Sequence, residues 1–204
     1  MIEIDVPQGD PEWFKARIAN PGASSFKRIV TTTGARSSDS ARQKYLNELF
    51  DEYVLQRKTE TFQSKRMSEG IEAEATSRAF YEFRTGYEVR QTGLCYKDGL
   101  KKYHASPDGL IVGEKGGFET KDASPHIQWA RLKKGGLPTD HFTQCQGSIL
   151  VCNYDWWDFQ SYCENMETLT VRVHPDDKFL VKLEKELNEF CAELAAMISE
   201  FRRS

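Results

Sequence analysis

The residues with the clearest chemical potential are two carboxylates and a lysine, in the order Ser106-Pro107-Asp108-Gly109 and then Glu119-Thr120-Lys121. Asp108 sits in a Pro-Asp-Gly turn. Glu119 and Lys121 are two apart in a segment of strand character, so their side chains leave the same face. If the turn and that strand pair, the three polar heads converge. Two carboxylates with no cysteine or histidine beside them make a hard oxygen site, suited to Mg2+ or Mn2+, which keeps several waters and takes further ligands from a phosphate. That is the chemistry of phosphodiester hydrolysis: the metal orients or acidifies a water, and Lys121 holds that water or stabilises charge on non-bridging oxygens. Taken alone, a turn followed by alternating charges is more often a solvated hairpin.

The elements that must position these residues change character along the chain. Helices are predicted over residues 11–19, where Pro11 suits a first turn, over 24–30, and over 39–58, where Tyr45, Leu46, Leu49, Phe50, Tyr53 and Val54 recur at helical spacing. A polar loop at 31–39 separates the last two. Another helix over 68–84 is closed by Gly86 as a left-handed cap. Short extended runs follow at 87–90, 93–97, 102–105, 110–112 and 117–121, divided by Asp-Gly and Gly-Gly turns and read as one small sheet. Helices at 126–134 and 139–151, strands at 156–163 and 169–173, and a long helix at 176–201 complete the chain. Helices before and after a run of strands predict an α/β or α+β domain, with residues 1–204 as one domain and a mixed sheet flanked by helices.

Composition narrows the classes. With 39% hydrophobic and 29% charged residues the chain is expected to fold and to be soluble. No apolar run spans a bilayer and the N-terminus lacks signal-peptide order, so a cytoplasmic address and no membrane partner are expected. Cys95, Cys145, Cys152, Cys163 and Cys191 contain no CxxC pair and read as reduced, buried thiols. With His104, His126, His141 and His174 they offer no zinc or iron–sulfur spacing, so any metal must be held by oxygen. The net charge of −3 conceals segregation: residues 12–66 carry eleven Lys/Arg against six Asp/Glu, and residues 155–204 carry six against eleven. A basic face on an acidic protein is compatible with phosphate binding, because local potential acts within a Debye length; from charge alone, ordinary solvated faces are the better explanation.

Five blocks extend the pattern in order: residues 8–17 (QGDPEWFKAR) with 22–26 (GASSF), 70–75 (GIEAEA) with 81–86 (YEFRTG), 106–110 (SPDGL), Glu119-Thr120-Lys121, and Gln144-Cys145-Gln146. Together they resemble the bacteriophage lambda exonuclease and YqaJ-type viral recombinase family of the PD-(D/E)xK nuclease superfamily, over nearly the whole chain. The resemblance implies a restriction-endonuclease-like fold and a Mg2+-dependent 5′-to-3′ exonuclease on double-stranded DNA ends. It also implies that Mn2+ substitutes, that two ions are bound with substrate, that mononucleotides are released, and that a 3′ single strand is left for a phage-type annealing protein. It further implies a ring-shaped homotrimer in a bacterial host cell.

Carried over by position, Asp108, Glu119, the Thr120 backbone carbonyl and Glu74 are metal ligands, Lys121 positions the water and Gln144 orients water or phosphate. Arg17 and Ser24, with Ser106, grip the terminal 5′-phosphate, for which an Arg fork and hydroxyls are apt. Each has a plainer reading: Glu74, with Glu69 and Glu72, as an exposed acidic face, Arg17 as a surface ion pair, Ser24 as a helix cap, Gln144 as packing on the sheet. Trp13 is expected in the core. His141 stands where the family has a tyrosine and reads either as a phosphate contact or as a solvated group. The loop at 31–39 does not align, leaving the strand-separating wedge unassigned. A PD-(D/E)xK endonuclease, or a non-catalytic DNA-binding protein on the same scaffold, are the competing readings; retention of Asp108, Glu119 and Lys121 disfavours the latter.

Overall fold

A computed structural model describes residues 1–58 and 64–203, with side chains for all of these except 64–73; Glu69 and Glu72 therefore lie outside the described side chains. The order is β1 (Ile2–Ile4), α1 (Pro11–Ala16), a 3-10 helix (Ala23–Arg28), α2 (Asp39–Leu55), α3 (Ser64–Thr85), β2 (Val89–Arg90), β3 (Leu94–Tyr96), β4 (His104–Ala105), β5 (Gly109–Ile111) and β6 (Gly116–Asp122). It continues with α4 (Pro125–Lys134), α5 (Thr139–Cys152), β7 (Trp156–Tyr162), β8 (Leu169–Val173) and α6 (Asp177–Phe201). Among the described residues no helix is long and apolar enough to cross a membrane.

Helices flank a mixed sheet as expected, but the strands at 87–121 divide between two sheets. One has the order β1-β3-β4 and the other β2-β5-β6-β7-β8. The division follows from β1, three residues that give too short an alternation to be read from sequence, which pair antiparallel with β3. Leu94 and Tyr96 of β3 then pack with Trp13 in a separate apolar cluster. β6 is the hinge of the larger sheet, antiparallel to β5 and parallel to β7 over all seven of its residues. A parallel pair requires a crossover, here the two helices α4 and α5.

Ends of elements shift for local reasons. α1 stops at Ala16 because Arg17 caps it and Ala19 turns to φ 52°. The segment expected to be helical from residue 24 is a 3-10 helix that begins at Ala23 with Gly22 as its cap, so Ser24 is not the cap. α2 ends at Leu55 on a left-handed Gln56, not at residue 58. Gly86, at φ 74°, closes α3 as expected. The main core joins α2, α5, α6 and the inner face of β7 around Phe26, Leu49, Trp157, Phe159, Leu183 and Phe190, all buried. Trp13 is buried as expected and donates its Nε1–H to the Gly93 carbonyl at 2.8 Å. Cys95, Cys145, Cys152 and Cys163 are free and buried; Cys191 is half-buried.

Candidate active site

Alternation along β6 sends Glu119 and Lys121 to one face of the sheet and Phe118 and Thr120 to the other. Because β7 runs parallel in register, Glu119 lies beside Phe159 and Lys121 beside Ser161. Thr120 faces α3, where its hydroxyl meets Ser77 Oγ at 2.5 Å. Asp108 arrives from the other side, at the turn joining β4 to β5. β5 pairs with β6 only at Phe118 and Gly117, so the edge of β6 beyond Phe118 is free to meet Asp108. Its Oδ2 accepts from the Thr120 N–H at 2.7 Å. The N–H and carbonyl of a strand residue leave on the same edge, so the Thr120 carbonyl faces the same gap.

On the Glu119 face, Lys121 Nζ and Gln144 Nε2 both donate to Glu119 Oε1, Gln144 at 2.6 Å. Gln144 is thus part of the cluster, not sheet packing alone. Glu74 of α3 is half-buried, 3.8 Å from Arg78, and close enough to Asp108 to feel its charge. Burial first, and Asp108 second, push Glu119 up to about 7, and the same two causes push Glu74 up to about 7. Asp108 is also raised by burial, against the pull of Lys121 and the Thr120 N–H. Burial draws Lys121 down, but Glu119 and Asp108 outweigh it and the ammonium is held up. Lys121 is stabilised by two carboxylates and Arg78 acts on Glu74 and Asp108, so two cations face three carboxylates.

That imbalance is what a divalent cation relieves. Among the described residues no three His, Cys, Asp or Glu side chains gather into a ready-made cage. The donor set of Asp108, Glu119 and the Thr120 carbonyl, with Glu74 at its rim, instead fits an ion that keeps several waters, as Mg2+ does. The two carboxylates favour Lys121 as an ammonium, a donor. It can hold a water or a phosphate oxygen.

A second cluster surrounds Arg17. Its guanidinium lies 3.9 Å over the Trp13 ring, and its Nε–H donates to His104 Nε2 at 3.3 Å. His104 Nδ1 meets Asn20 Oδ1 at 2.7 Å, so Nδ1 carries the proton and Nε2 accepts. Burial holds His104 far below its ordinary value, and Arg17 and Lys58 add to this, so the ring is neutral. Among the described residues Arg17 forms no ion pair, against the surface-pair reading, and its two terminal nitrogens have no hydrogen-bonding partner. Gly22 must be glycine for this arrangement: a Cβ there would stand 2.7 Å from His104 Nε2. Ser106, two residues along the same strand direction from His104, has a buried Oγ without a hydrogen-bonding partner among the described residues. Ser24 is exposed and, among the described residues, makes no hydrogen bond to Arg17.

The structure therefore brings Asp108, Glu119, Thr120, Lys121, Gln144 and Glu74 together, and sets Arg17 and Ser106 on the β4 side of Asp108. It adds residues that the motifs did not single out. His104 and Asn20 brace Arg17; the one sequence signal for His104 was its i, i+2 spacing from Ser106. His141, read as a phosphate contact or a solvated group, is half-buried: it stacks on Phe159 at 4.8 Å and takes a hydrogen bond from Arg131 at 3.1 Å.

The family model for the YqaJ-like viral recombinase domain matches residues 12–155, a span holding every residue of both clusters. The chain belongs to this family. Its fold is similar to that of an alkaline exonuclease from Laribacter hongkongensis, with a TM-score of 0.84 and 28% identity over 95% of this chain and 97% of that one. The same enzyme, in complex with dAMP, matches equally well. A phage-related exonuclease from Haemophilus somnus 129PT shares the fold alone, with a TM-score of 0.68 and 14% identity over 89% of this chain and 96% of that one. Comparison with curated proteins gives no match. These likenesses bear out the α/β, restriction-endonuclease-like fold class.

Proposed function

We propose that this protein is a metal-dependent exonuclease that digests double-stranded DNA from its 5′ ends, releasing 5′-mononucleotides and leaving a 3′ single strand for annealing in phage-type recombination. The observation that carries the reading is the convergence of Asp108, Glu119 and Lys121 on the strand edge that β5 leaves free. Its support is membership of a viral recombinase family and 28% identity with an alkaline exonuclease. The dAMP complex of that relative is of the mononucleotide class proposed as product.

Asp108, Glu119, the Thr120 carbonyl and Glu74 are the proposed ligands of Mg2+, with Mn2+ as a substitute and a second ion when DNA is bound. The metal supplies Lewis acidity and an acidified water. The chain's own residues do the rest. Lys121 holds the attacking water against the phosphorus and stabilises charge that grows on the non-bridging oxygens. Gln144, anchored to Glu119, turns its amide toward water or phosphate. The Arg17 fork, with Ser106 and, after a rearrangement of its exposed side chain, Ser24, takes the terminal 5′-phosphate, which carries more charge than an internal diester. A terminal phosphate seated there places the first diester over Asp108 and Glu119, which sets both polarity and product size. A ring-shaped homotrimer and a single-strand annealing partner belong to the same proposal, as does action in the cytoplasm of a bacterial host.

The deciding experiment is digestion of a linear duplex with one 5′-phosphorylated and one 5′-hydroxyl end, beside a covalently closed circle. Loss from the phosphorylated end, with the circle intact, is expected. Cleavage of the circle would make the protein an endonuclease.

A further inference from the structure

α4 and α5 place a second cation, without an ion pair among the described residues, on the opposite side of β6 from Arg17. Arg131 of α4 is half-buried. Its Nη1 donates to Ser161 Oγ at 2.8 Å and its Nη2 to His141 Nε2 at 3.1 Å. Both acceptors are neutral. Ser161 gives its own proton to Gln128 Oε1 at 2.5 Å, which leaves a lone pair for Arg131. Gln128, fully buried, is pinned in turn by donating to the Glu167 carbonyl at 2.6 Å. His141 stacks on Phe159, and burial, with Lys121, Arg131 and Lys27 around it, pushes it down to about 4, so it too accepts as a neutral ring. Among the described residues no carboxylate lies within ion-pair distance of Arg131; Asp140 of α5 acts on Arg131 and His141 only at longer range.

Position gives this cation its meaning. Phe159 and Ser161, which seat His141 and Arg131, are the register partners of Glu119 and Lys121. Arg131 is therefore braced one strand over from the catalytic pair, a lateral step of about 4.8 Å, on the same face. His141 is also one helical turn from Gln144. A guanidinium fixed through two neutral acceptors, with donors to spare, is built to receive an anion.

We propose that Arg131, oriented by Ser161 and His141, is a binding site for a DNA backbone phosphodiester, the one adjoining the scissile bond on its duplex side. The proposal rests on the nuclease reading above. With the terminal phosphate at Arg17, on the β4 side, the strand crosses Asp108 and Glu119 and its next phosphate meets Arg131, on the β7 side.

The test follows KM against KCl concentration for wild type, Arg131→Met and Arg131→Lys on a 5′-phosphorylated duplex with Mg2+. Arg131→Met is expected to raise KM about tenfold and to flatten the slope of log(1/KM) against log[KCl] by about 0.9, the signature of one lost phosphate contact. Arg131→Lys is expected to keep the wild-type slope. A mere tether between α4 and β7 would suffer alike in both, since lysine cannot serve Ser161 and His141 together; equal slopes in the two variants overturn the site. If Arg131→Met does not fold, a neutral methylphosphonate placed at the adjoining linkage is digested by wild type: a rise in KM of about tenfold is expected, and an unchanged KM overturns it. Wild type that digests no duplex sinks the nuclease reading and this site together, whereas digestion indifferent to Arg131 and to the methylphosphonate sinks this site alone.

Discussion

Around Glu119 the fold crowds three carboxylates about Lys121 and Arg78, whereas around Arg17 it holds a guanidinium against an aromatic face and a neutral imidazole. Both regions keep a charge that the protein does not neutralise, and the signs are opposite. The carboxylate cluster stands on β6, where flanking strands and α3, α4 and α5 exclude water and raise every acid in it. The Arg17 cluster stands where α1 meets the smaller sheet, and there burial lowers the bases instead, Arg17 and His104 alike. Under the proposed function, a divalent cation complements the first region and a phosphate the second.

The comparison breaks most completely at its catalytic end. Asp108→Ala and Lys121→Ala are each expected to lower nucleotide release by about 10³-fold, while gel-shift binding of duplex DNA is largely kept; digestion at the wild-type rate by either would remove the cluster from the chemistry. Arg17→Ala is expected to leave the metal site intact and to cut the preference for a 5′-phosphorylated over a 5′-hydroxyl end by about 30-fold, the value of a charge-assisted hydrogen bond. Competition between the two ends in one tube measures this.

Metal binding is separable from turnover through pH. Carboxyls held near 7 against an ordinary 4.5 favour the folded metal-free protein while protonated, and that contribution is lost as pH rises from 4.5 through 7. Added Mg2+ is therefore expected to raise Tm by about 3 °C at pH 8 and not at all below pH 4.5, where the ligands are protonated. Glu119→Gln should remove most of the gain, and a Mg2+ effect independent of pH would deny these carboxylates the metal. The smallest effect sharpens the other region: His104→Leu removes the acceptor for Arg17 and is expected to reduce the 5′-phosphate preference about fivefold, with His104→Gln restoring most of it. Equal loss in both variants would mean that His104 serves packing alone.

Much of this was legible beforehand because it depends on neighbours in sequence. Period-two alternation put Glu119 and Lys121 on one face, Pro-Asp-Gly placed Asp108 in a turn, and Gly86 stopped α3. The spacing 3.6 found α2, though not that Gln56 would end it three residues early. What was missed depends on partners far along the chain. β1 is only three residues long and exists because β3, some ninety residues later, supplies its hydrogen bonds; without it, the strands at 87–121 looked like one sheet.

The sequence by itself determined which residues carry charge and hydrogen-bonding chemistry, and in which local geometry, since those follow from side-chain type and backbone period. Only the tertiary structure decided what each charge faces. The parallel register of β6 with β7 set Arg131 and His141 beside Glu119 and Lys121, and the close approach of Gly22 to His104 braced Arg17. Burial then fixed the sign of each imbalance, because desolvation acts on a group only once distant segments have closed over it.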